Sequence, residues 1–390
     1  MEPFETFTEQ ERAALAPYFT NTTGPVFALV NMPEVVKGAL FARYSRSAKS
    51  LRRLFLDEFL DQVDDAAGPS TVGEERAEQL YEKVFLEYGD DSVAQLGGVH
   101  LATEGVSNVL TKILEWGRLM AYLEQSTRYV PYTQKPGGRW KYLVPTELDA
   151  HPDLAARYRE ALDRAFATYA DLLERMQAWF AGRFPKAEGE APGVHKRTIR
   201  AKALDTVRGL LPAATKSNLG IYGTGQAYEA LLLRMRASPL AEAREIAGLM
   251  LAEIRKVIPS FVTRVDREDR GVVWSEYFRG TRDATARVAE MLLGGERPVR
   301  EPEVQLTDFD PDGEEKVIAA ALYGVSCLSD LRLRERVREM KVQDREDVLA
   351  AYVGDRKNRR HRPGRAFERT VYRFDILSDY GAFRDLQRHR

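Results

Sequence analysis

Across 390 residues there is a single cysteine, Cys327. That rules out an intrachain disulfide and any cysteine-built zinc cage, and it fits a reducing compartment. Set in an Ala/Leu-rich run, Cys327 reads as core rather than nucleophile. Excess charge is missing too: 58 basic residues face 59 acidic ones, so no global field draws in nucleic acid or an anionic membrane. Any anionic ligand has to be caught locally. Histidine is scarce, and His100, His151 and His195 stand alone, which reads as surface or satisfied core positions rather than metal ligands. The apolar runs, such as Val317 to Val325, are too short to span a bilayer. The opening residues lack a basic n-region, so no secretory leader is expected and the cytoplasm is the default compartment. Gly220 to Gly225 is glycine-rich but has neither phosphate-loop spacing nor a lysine, and reads as a turn.

What is present is ample material for cores, 44% apolar residues in a length that suggests two or three domains. Glu9 to Tyr18 suggests a short helix, and Asn21 to Pro25 a turn. From Val35 to Leu60 apolar residues recur at three- and four-residue steps, interrupted by Arg43-Tyr44-Ser45-Arg46-Ser47. Asp61 to Gly73 reads as a linker loop and Glu75 to Glu87 as a helix. Tyr88 to Leu96 has the form of a helix stop and restart, with Gly89 to close and Asp91 or Ser92 to cap. Val99 to Thr103 reads as a short strand, and Gly105 to Met120 as an amphipathic helix. A Pro/Gly/aromatic segment up to Pro145 leads into a long helix over Leu154 to Phe184. Further helices are expected over Thr198 to Leu211, Ala227 to Met235 and Leu240 to Val257, and the charged, poorly periodic stretch from Ile258 to Asp310 reads as a linker.

The helix from Gly105 runs into Trp116-Gly117-Arg118-Leu119-Met120-Ala121-Tyr122-Leu123-Glu124-Gln125-Ser126-Thr127-Arg128-Tyr129. Glu124, Ser126 and Arg128 alternate, so in an extended segment all three point the same way. Such a triplet is either a solvated turn or an anion-and-base cradle, in which Arg holds a phosphate by its fork, Ser adds a donor and Glu accepts from a ring N–H. Two stretches also repeat. Gly38-Ala39-Leu40-Phe41-Ala42-Arg43-Tyr44-Ser45 is echoed by Ala320-Ala321-Leu322-Tyr323-Gly324-Val325-Ser326, and the helix entering Trp116-Gly117-Arg118 by the one entering Arg388-His389-Arg390. Two matches in the same order argue for duplication.

Tyr88 to Gln95, then Thr103-Glu104-Gly105-Val106-Ser107, then Glu124-Gln125-Ser126-Thr127-Arg128-Tyr129 resemble, in order and spacing, the flavin-dependent thymidylate synthases. That family's signature runs R-H-R-x-x-S and then E-x-S-x-R-Y, and Arg388-His389-Arg390 resembles its opening. Leu211-Pro212 and Ala241 to Ile246 extend the likeness. It covers 33–260 as a first copy and 314–390 as the truncated opening of a second, with 261–313 as linker. The resemblance implies an α+β fold of long helices with a small antiparallel sheet, and a homo-oligomer, here a dimer of tandem copies standing for a tetramer. It implies FAD as cofactor, dUMP as substrate, and methylenetetrahydrofolate and NADPH as co-substrates. By position, Ser126 and Arg128 would hold the nucleotide phosphate with Glu124 beside it. Ser45, Ser92, Gln95 and Arg118 would lie toward FAD, although Gln95 replaces a usual Glu. Arg236, or with another gap Arg234, would polarise the uracil, where a fixed cation stabilises charge built up by an arriving hydride.

The first copy departs from that pattern. Trp116-Gly117-Arg118 stands for R-H-R, and Asn218 stands where an arginine is expected, with Lys216 close enough to substitute. Loss of these charged contacts weakens anion binding by about 1 to 3 kcal/mol each. The second copy carries Arg388, His389 and Arg390, and Glu368 at the FAD-side position, so one hybrid site built from two degenerate halves is a consistent reading. A non-catalytic nucleotide- or flavin-binding relative is the alternative. The run Arg356 to Arg365 is strongly basic yet has few interleaved aromatics, so it reads as a solvated loop or a phosphate or folyl-glutamate contact ahead of a nucleic-acid site.

Overall fold

The apolar spacing between Val35 and Phe59 is cut by the polar stretch at Ser45, and the computed structural model divides it into two helices there. Residues 5–45, 47–60, 95–297 and 299–387 are described by it. The loop and helix expected over 61–87, and the stop-and-restart up to 94, lie outside those residues.

Helix α1 (Glu9–Leu15) starts at Thr8, which closes a capping box with Glu11. Helices α2 (Glu34–Tyr44) and α3 (Leu51–Glu58) follow, and α3 is capped by Ser50, whose hydroxyl accepts from the Arg53 N–H. Strand β1 (Gly98–Ser107) and helix α4 (Asn108–Leu114) replace the single helix expected from Gly105 to Met120. The reason is local. Gly105 sits at a φ of +68°, where the register against the neighbouring strand slips between Thr103 and Val106, and Ser107 then caps α4. Strand β2 (Ala121–Glu124) precedes the long helix α5 (Pro152–Arg183) and α6 (Pro192–Val207).

Strand β3 (Lys216–Thr224) takes in most of the glycine-rich piece expected to be a turn. Its alternation decides the matter: Ser217, Leu219 and Ile221 are buried, whereas Gly220 and Tyr222 face out. It is the centre of an antiparallel sheet of order β1-β3-β2, with Val99 opposite Gly223 and Glu124 opposite Leu219. Helices α7 (Gly225–Arg236), α8 (Ala241–Ile254) and α9 (Val273–Leu293) complete a first unit, Met1–Gly295 with Arg384–Arg390. Its main core joins Leu40, Phe55, Leu110, Tyr228, Leu231 and Ile254, and each such side chain contributes about 1.5 to 3 kcal/mol on burial. A second cluster, with Phe166, Tyr169 and Leu204, lies between α5 and α6.

The second unit is Glu296–Phe383. Strand β4 (Val304–Phe309), α10 (Gly313–Tyr323), α11 (Asp330–Glu339), α12 (Val342–Val353) and strand β5 (Tyr372–Ile376) make it up, with β4 and β5 antiparallel. Helix α13 (Tyr380–Gln387) follows, and its last turn belongs to the first unit. The stretch expected as a linker is not bare chain: Phe261, Val262 and Val265 are in the first core, α9 lies within it, and the units divide after Gly295. Cys327, expected in a core, is exposed, because it falls in the connection between α10 and α11 rather than on a helix face. Overall the architecture is α+β, long helices with small antiparallel sheets. No helix among the described residues is long and apolar enough to cross a membrane.

Candidate active site

The strands of the β1-β3-β2 sheet border a depression. It measures about 390 Å³ and is lined by Ala102, Glu104, Leu123, Gln125, Asn218 and Gly220 among others. Asn218 shapes its floor: its Oδ1 accepts from the Gly105 N–H at 3.0 Å, which holds the bulge in β1. At the next turn, Ser107 donates through Oγ to Glu242 on α8 at 2.5 Å, and its N–H donates to the same carboxylate at 2.7 Å. The Thr103 to Ser107 segment is thereby pinned from two sides.

Glu124, Ser126 and Arg128 do not share one face. Strand β2 ends at Glu124, and the chain then turns, with the Tyr129 and Val130 N–H groups donating to the Ser126 carbonyl. The Glu124 carboxylate points inward, where it accepts from Thr111 Oγ1 at 3.1 Å and from Lys112 Nζ at 3.0 Å. Lys112 also meets Glu115 at 2.5 Å, and the three side chains are only 6%, 1% and 4% exposed for Lys112, Glu115 and Glu124. Arg384 adds a second cation, 3.7 Å from Glu124. Among the described residues these are two cations against two carboxylates; removing one of the buried partners leaves an uncompensated charge. The sequence signal was thin: Lys112 and Glu115 stand three apart on α4, and only the fold brings Glu124 and Arg384 to them.

Ser126 and Arg128 remain at the surface of the turn. Ser126 Oγ accepts from the Arg128 N–H at 3.3 Å, and the Arg128 side chain is exposed with no carboxylate at ion-pair distance among the described residues. Arg118 is likewise exposed on the preceding turn. Around these two, Trp116, Leu119, Leu123 and Tyr129 are 66%, 79%, 81% and 69% exposed. Four large apolar side chains in one short stretch are unusual for a free surface.

The other expected positions separate. Gln95 Nε2 donates to Gln226 Oε1 at 2.7 Å, at the start of α7, a pairing of two residues far apart in the chain. Arg234, on α7, lies beside the Trp116-Gly117 turn: a Cβ at Gly117 would come within 3.8 Å of its guanidinium. Arg236 instead lines a separate cavity of about 330 Å³ with Arg244, Ser275, Glu276 and Arg279. Ser45 ends α2 and donates to the Ala42 carbonyl at 2.8 Å. Lys216 lines another, larger cavity. Glu368, in the second unit, pairs with Arg365 at 2.9 Å. Ser92, Arg388, His389 and Arg390 lie outside the described residues. Gln387, just before them, donates to the Lys112 carbonyl at 2.6 Å. Among the described residues no group of three or more His, Cys, Asp or Glu gathers to hold a metal ion.

A family model described as thymidylate synthase complementing protein matches residues 39–260. The chain belongs to that family. A UPF0159 protein of Chlamydia pneumoniae is 40% identical over 395 residues, which cover 99% of this chain and 74% of that protein. A flavin-dependent thymidylate synthase of Mycobacterium avium is 31% identical over 182 residues, 46% of this chain and 66% of its own length. Among solved structures, PolB of Streptomyces cacaoi, a UMP/dUMP methylase, is 16% identical with a TM-score of 0.39, covering 60% of this chain and 89% of that one. Family membership places Ser126 and Arg128 inside the matched span, and it leaves Arg384 to Arg390 beyond it.

The donor set present fits a flavin and a nucleotide phosphate. The Gln95 amide gives its N–H to Gln226, and side-chain amides of this kind can both give and take hydrogen bonds, as the amide edge of a planar ring requires, while Arg118 and Arg128 are unengaged by carboxylates among the described residues.

Proposed function

We propose that the protein is an FAD-dependent thymidylate synthase that methylates dUMP, with methylenetetrahydrofolate as carbon donor and NADPH as reductant. The observation that carries this reading is the turn from half-buried Ser126 to exposed Arg128, which follows Gln125 of the sheet depression within a span that matches the family. Arg128 offers the phosphate a planar fork and Ser126 adds a short donor. Glu124 acts from behind, as the anchor that fixes the end of β2. FAD, once bound and reduced by NADPH, would supply the hydride; Gln95, Arg118, Ser45 and Ser92 are the residues proposed to hold it. The cation that meets charge developing on the uracil is assigned to Arg234 ahead of Arg236, because Arg234 lies at the Trp116-Gly117 turn. We further read 33–260 as one copy and 314–390 as the opening of another, with Arg388, His389 and Arg390 supplying cations that Trp116 and Gly117 do not. Docking of Arg384 and Gln387 on Glu124 and Lys112 supports that assignment. The exposed apolar stretch at Trp116 to Tyr129 supports a homo-oligomer, in which a second copy covers it.

Purification of the full chain tests this. A yellow protein whose flavin is bleached by NADPH without oxygen and reoxidised on adding dUMP and methylenetetrahydrofolate is the expected result, and Arg128→Ala is expected to weaken dUMP by about 10- to 100-fold while leaving flavin bound. A second reading, a nucleotide or flavin binder without turnover, is favoured by Asn218, whose side chain is committed to Gly105. A protein that binds dUMP with a flavin that stays reduced would select it.

A further inference from the structure

A cavity of about 1140 Å³ in the first unit, lined by none of Glu124, Ser126 and Arg128, lies between the loop 135–144, helix α5 and the start of β3. Lys135, Arg139, Lys141, Arg159, Arg164 and Lys216 line it, against one carboxylate, Asp163. In a chain whose charges balance almost to zero, that is a strong local segregation. Elsewhere exposed cations sit beside acids on their own helices, as Arg175 does with Asp171 and Arg332 with Glu335. Here the acid is already engaged: Asp163 accepts from the Tyr142 hydroxyl at 2.8 Å, and burial together with that carboxylate pushes the phenol up to about 12, so it stays a donor at neutral pH. Lys135 sits 4.3 Å over the Trp140 ring, and Arg164 reaches Glu160 at 3.8 Å. Arg139, Lys141, Arg159 and Lys216 have no carboxylate at ion-pair distance among the described residues.

The walls are built rather than loose. The Lys216 N–H donates to the Lys141 carbonyl and the Leu143 N–H to the Ala214 carbonyl, both at 2.8 Å, so the loop is laced to β3. Tyr142 ties the same loop to α5 through Asp163. Gly137 and Gly138, at φ of +60° and +76°, make the turn that carries Lys135 and Arg139 to the rim. Cations held together without counter-charge repel, and a ligand that supplies the counter-charge removes that repulsion.

We infer that this cavity is a binding site for a flexible small polyanion, a molecule carrying several carboxylates or phosphates, held by Arg139, Lys141, Arg159 and Lys216. The inference does not rest on the methylase reading. The aromatic rings are wall rather than stacking platform, since Trp140 is covered by Lys135 and packs on Phe166 at 5.6 Å, and this favours a ligand read by charge over a single-stranded nucleic acid.

The full-length protein is titrated with oligoglutamate and, separately, with inorganic tripolyphosphate, by calorimetry and by Trp140 emission, with Trp140→Phe as the spectral control. Binding that weakens steeply with salt and falls at least about 10-fold in Arg139→Glu/Arg159→Glu is the expected result. Tighter oligoglutamate names carboxylates as the natural groups, and tighter tripolyphosphate names phosphates; either supports the site. Two results overturn it: unchanged affinity in the double variant, which would move binding to another basic surface such as 356–365, or an RNA oligonucleotide that outcompetes both probes. The two substituted side chains are exposed, so the variant is expected to keep its fold, and unchanged dUMP binding in it separates this site from the nucleotide site.

Discussion

Set Ser50 on Ser329, three residues off the echo that pairs Leu40 with Leu322, and the helix pair α2-α3 of the first unit falls on α10-α11 of the second. Each serine caps the second helix of its pair, accepting from Arg53 and from Arg332. Five buried positions then coincide: Gly38, Ala39, Leu40 and Ala42 on α2 against Val317, Ile318, Ala319 and Ala321 on α10, and Leu54 against Leu333. The difference lies on the neighbouring face. Val36, Phe55 and Phe59, all at most 1% exposed, match Glu315, Arg334 and Arg338, where the carboxylate meets Arg334 at 2.5 Å and Arg338 at 2.6 Å. One helix pair thus has its face buried in a core, and the other has the same face as a half-exposed ion cluster. The seam between the helices tolerates little variation in type, whereas the outer face is set by what covers it.

That contrast is broken most severely by truncating the matched pair Phe55 and Arg334. Phe55→Ala removes a ring that packs edge-on to Phe19 at 5.3 Å in the main core, and is expected to cost about 3 to 5 kcal/mol. Arg334→Ala leaves Glu315 with Arg338 and is expected to cost only about 1 kcal/mol, because the lost bond is partly open to water. Urea unfolding for the first, and hydrogen exchange of α11 amides for the second, measure the two. Equal costs would mean that the ion cluster is worth a core.

A middle-sized effect separates the two caps. Ser329→Ala removes one accepted bond and is expected to cost about 1 kcal/mol. Ser50→Ala is expected to cost more, toward about 2 kcal/mol, since the Ser50 hydroxyl also donates to Glu5 at 2.5 Å and is buried. Amide exchange in the first turns of α3 and α11 reads both, and Ser50→Gly, which keeps the cap backbone, sharpens the split.

How much of this was legible beforehand follows from range. Helix seams announce themselves by spacing, so α2, α3, α5, α7 and α8 were readable to within a few residues. The β3 strand was not, because two glycines, Gly220 and Gly223, mask an alternation whose meaning comes from β1 and β2 on either side. Ser126 and Arg128 were legible as a motif, but the direction of Glu124 was not: alternation put it with them, and burial against Lys112 turned it inward. The basic cavity had a local trace in Lys135, Arg139 and Lys141, lost in a segment read only as a Pro/Gly/aromatic stretch. Arg159 and Lys216 join those three only through tertiary packing.

The smallest expected effect is on pH, and it tests whether the charged face of the second unit acts as the apolar face of the first does. Burial alone would raise the Glu315 carboxyl, but the bonds from Arg338 and Arg334 outweigh it and hold it below its ordinary range. A depressed folded value means stability that is complete above the ordinary carboxylate value and lost as pH falls through the folded one. Protection of α11 amides is therefore expected to decline from about pH 5 downward, and Glu315→Gln to abolish that dependence. At the matching positions the first unit has no titratable group, so its acid sensitivity must come from elsewhere, namely the bonds from Arg53 to Glu11 and Glu5. The Arg53 bond, with the Thr8 N–H, holds Glu11 down to about 2, so the loss in α3 is expected to extend to far lower pH and to vanish in Arg53→Met. If α3 and α11 instead lost protection together over one pH range, acid would be opening the whole chain at once, and the local account of the two faces would fail.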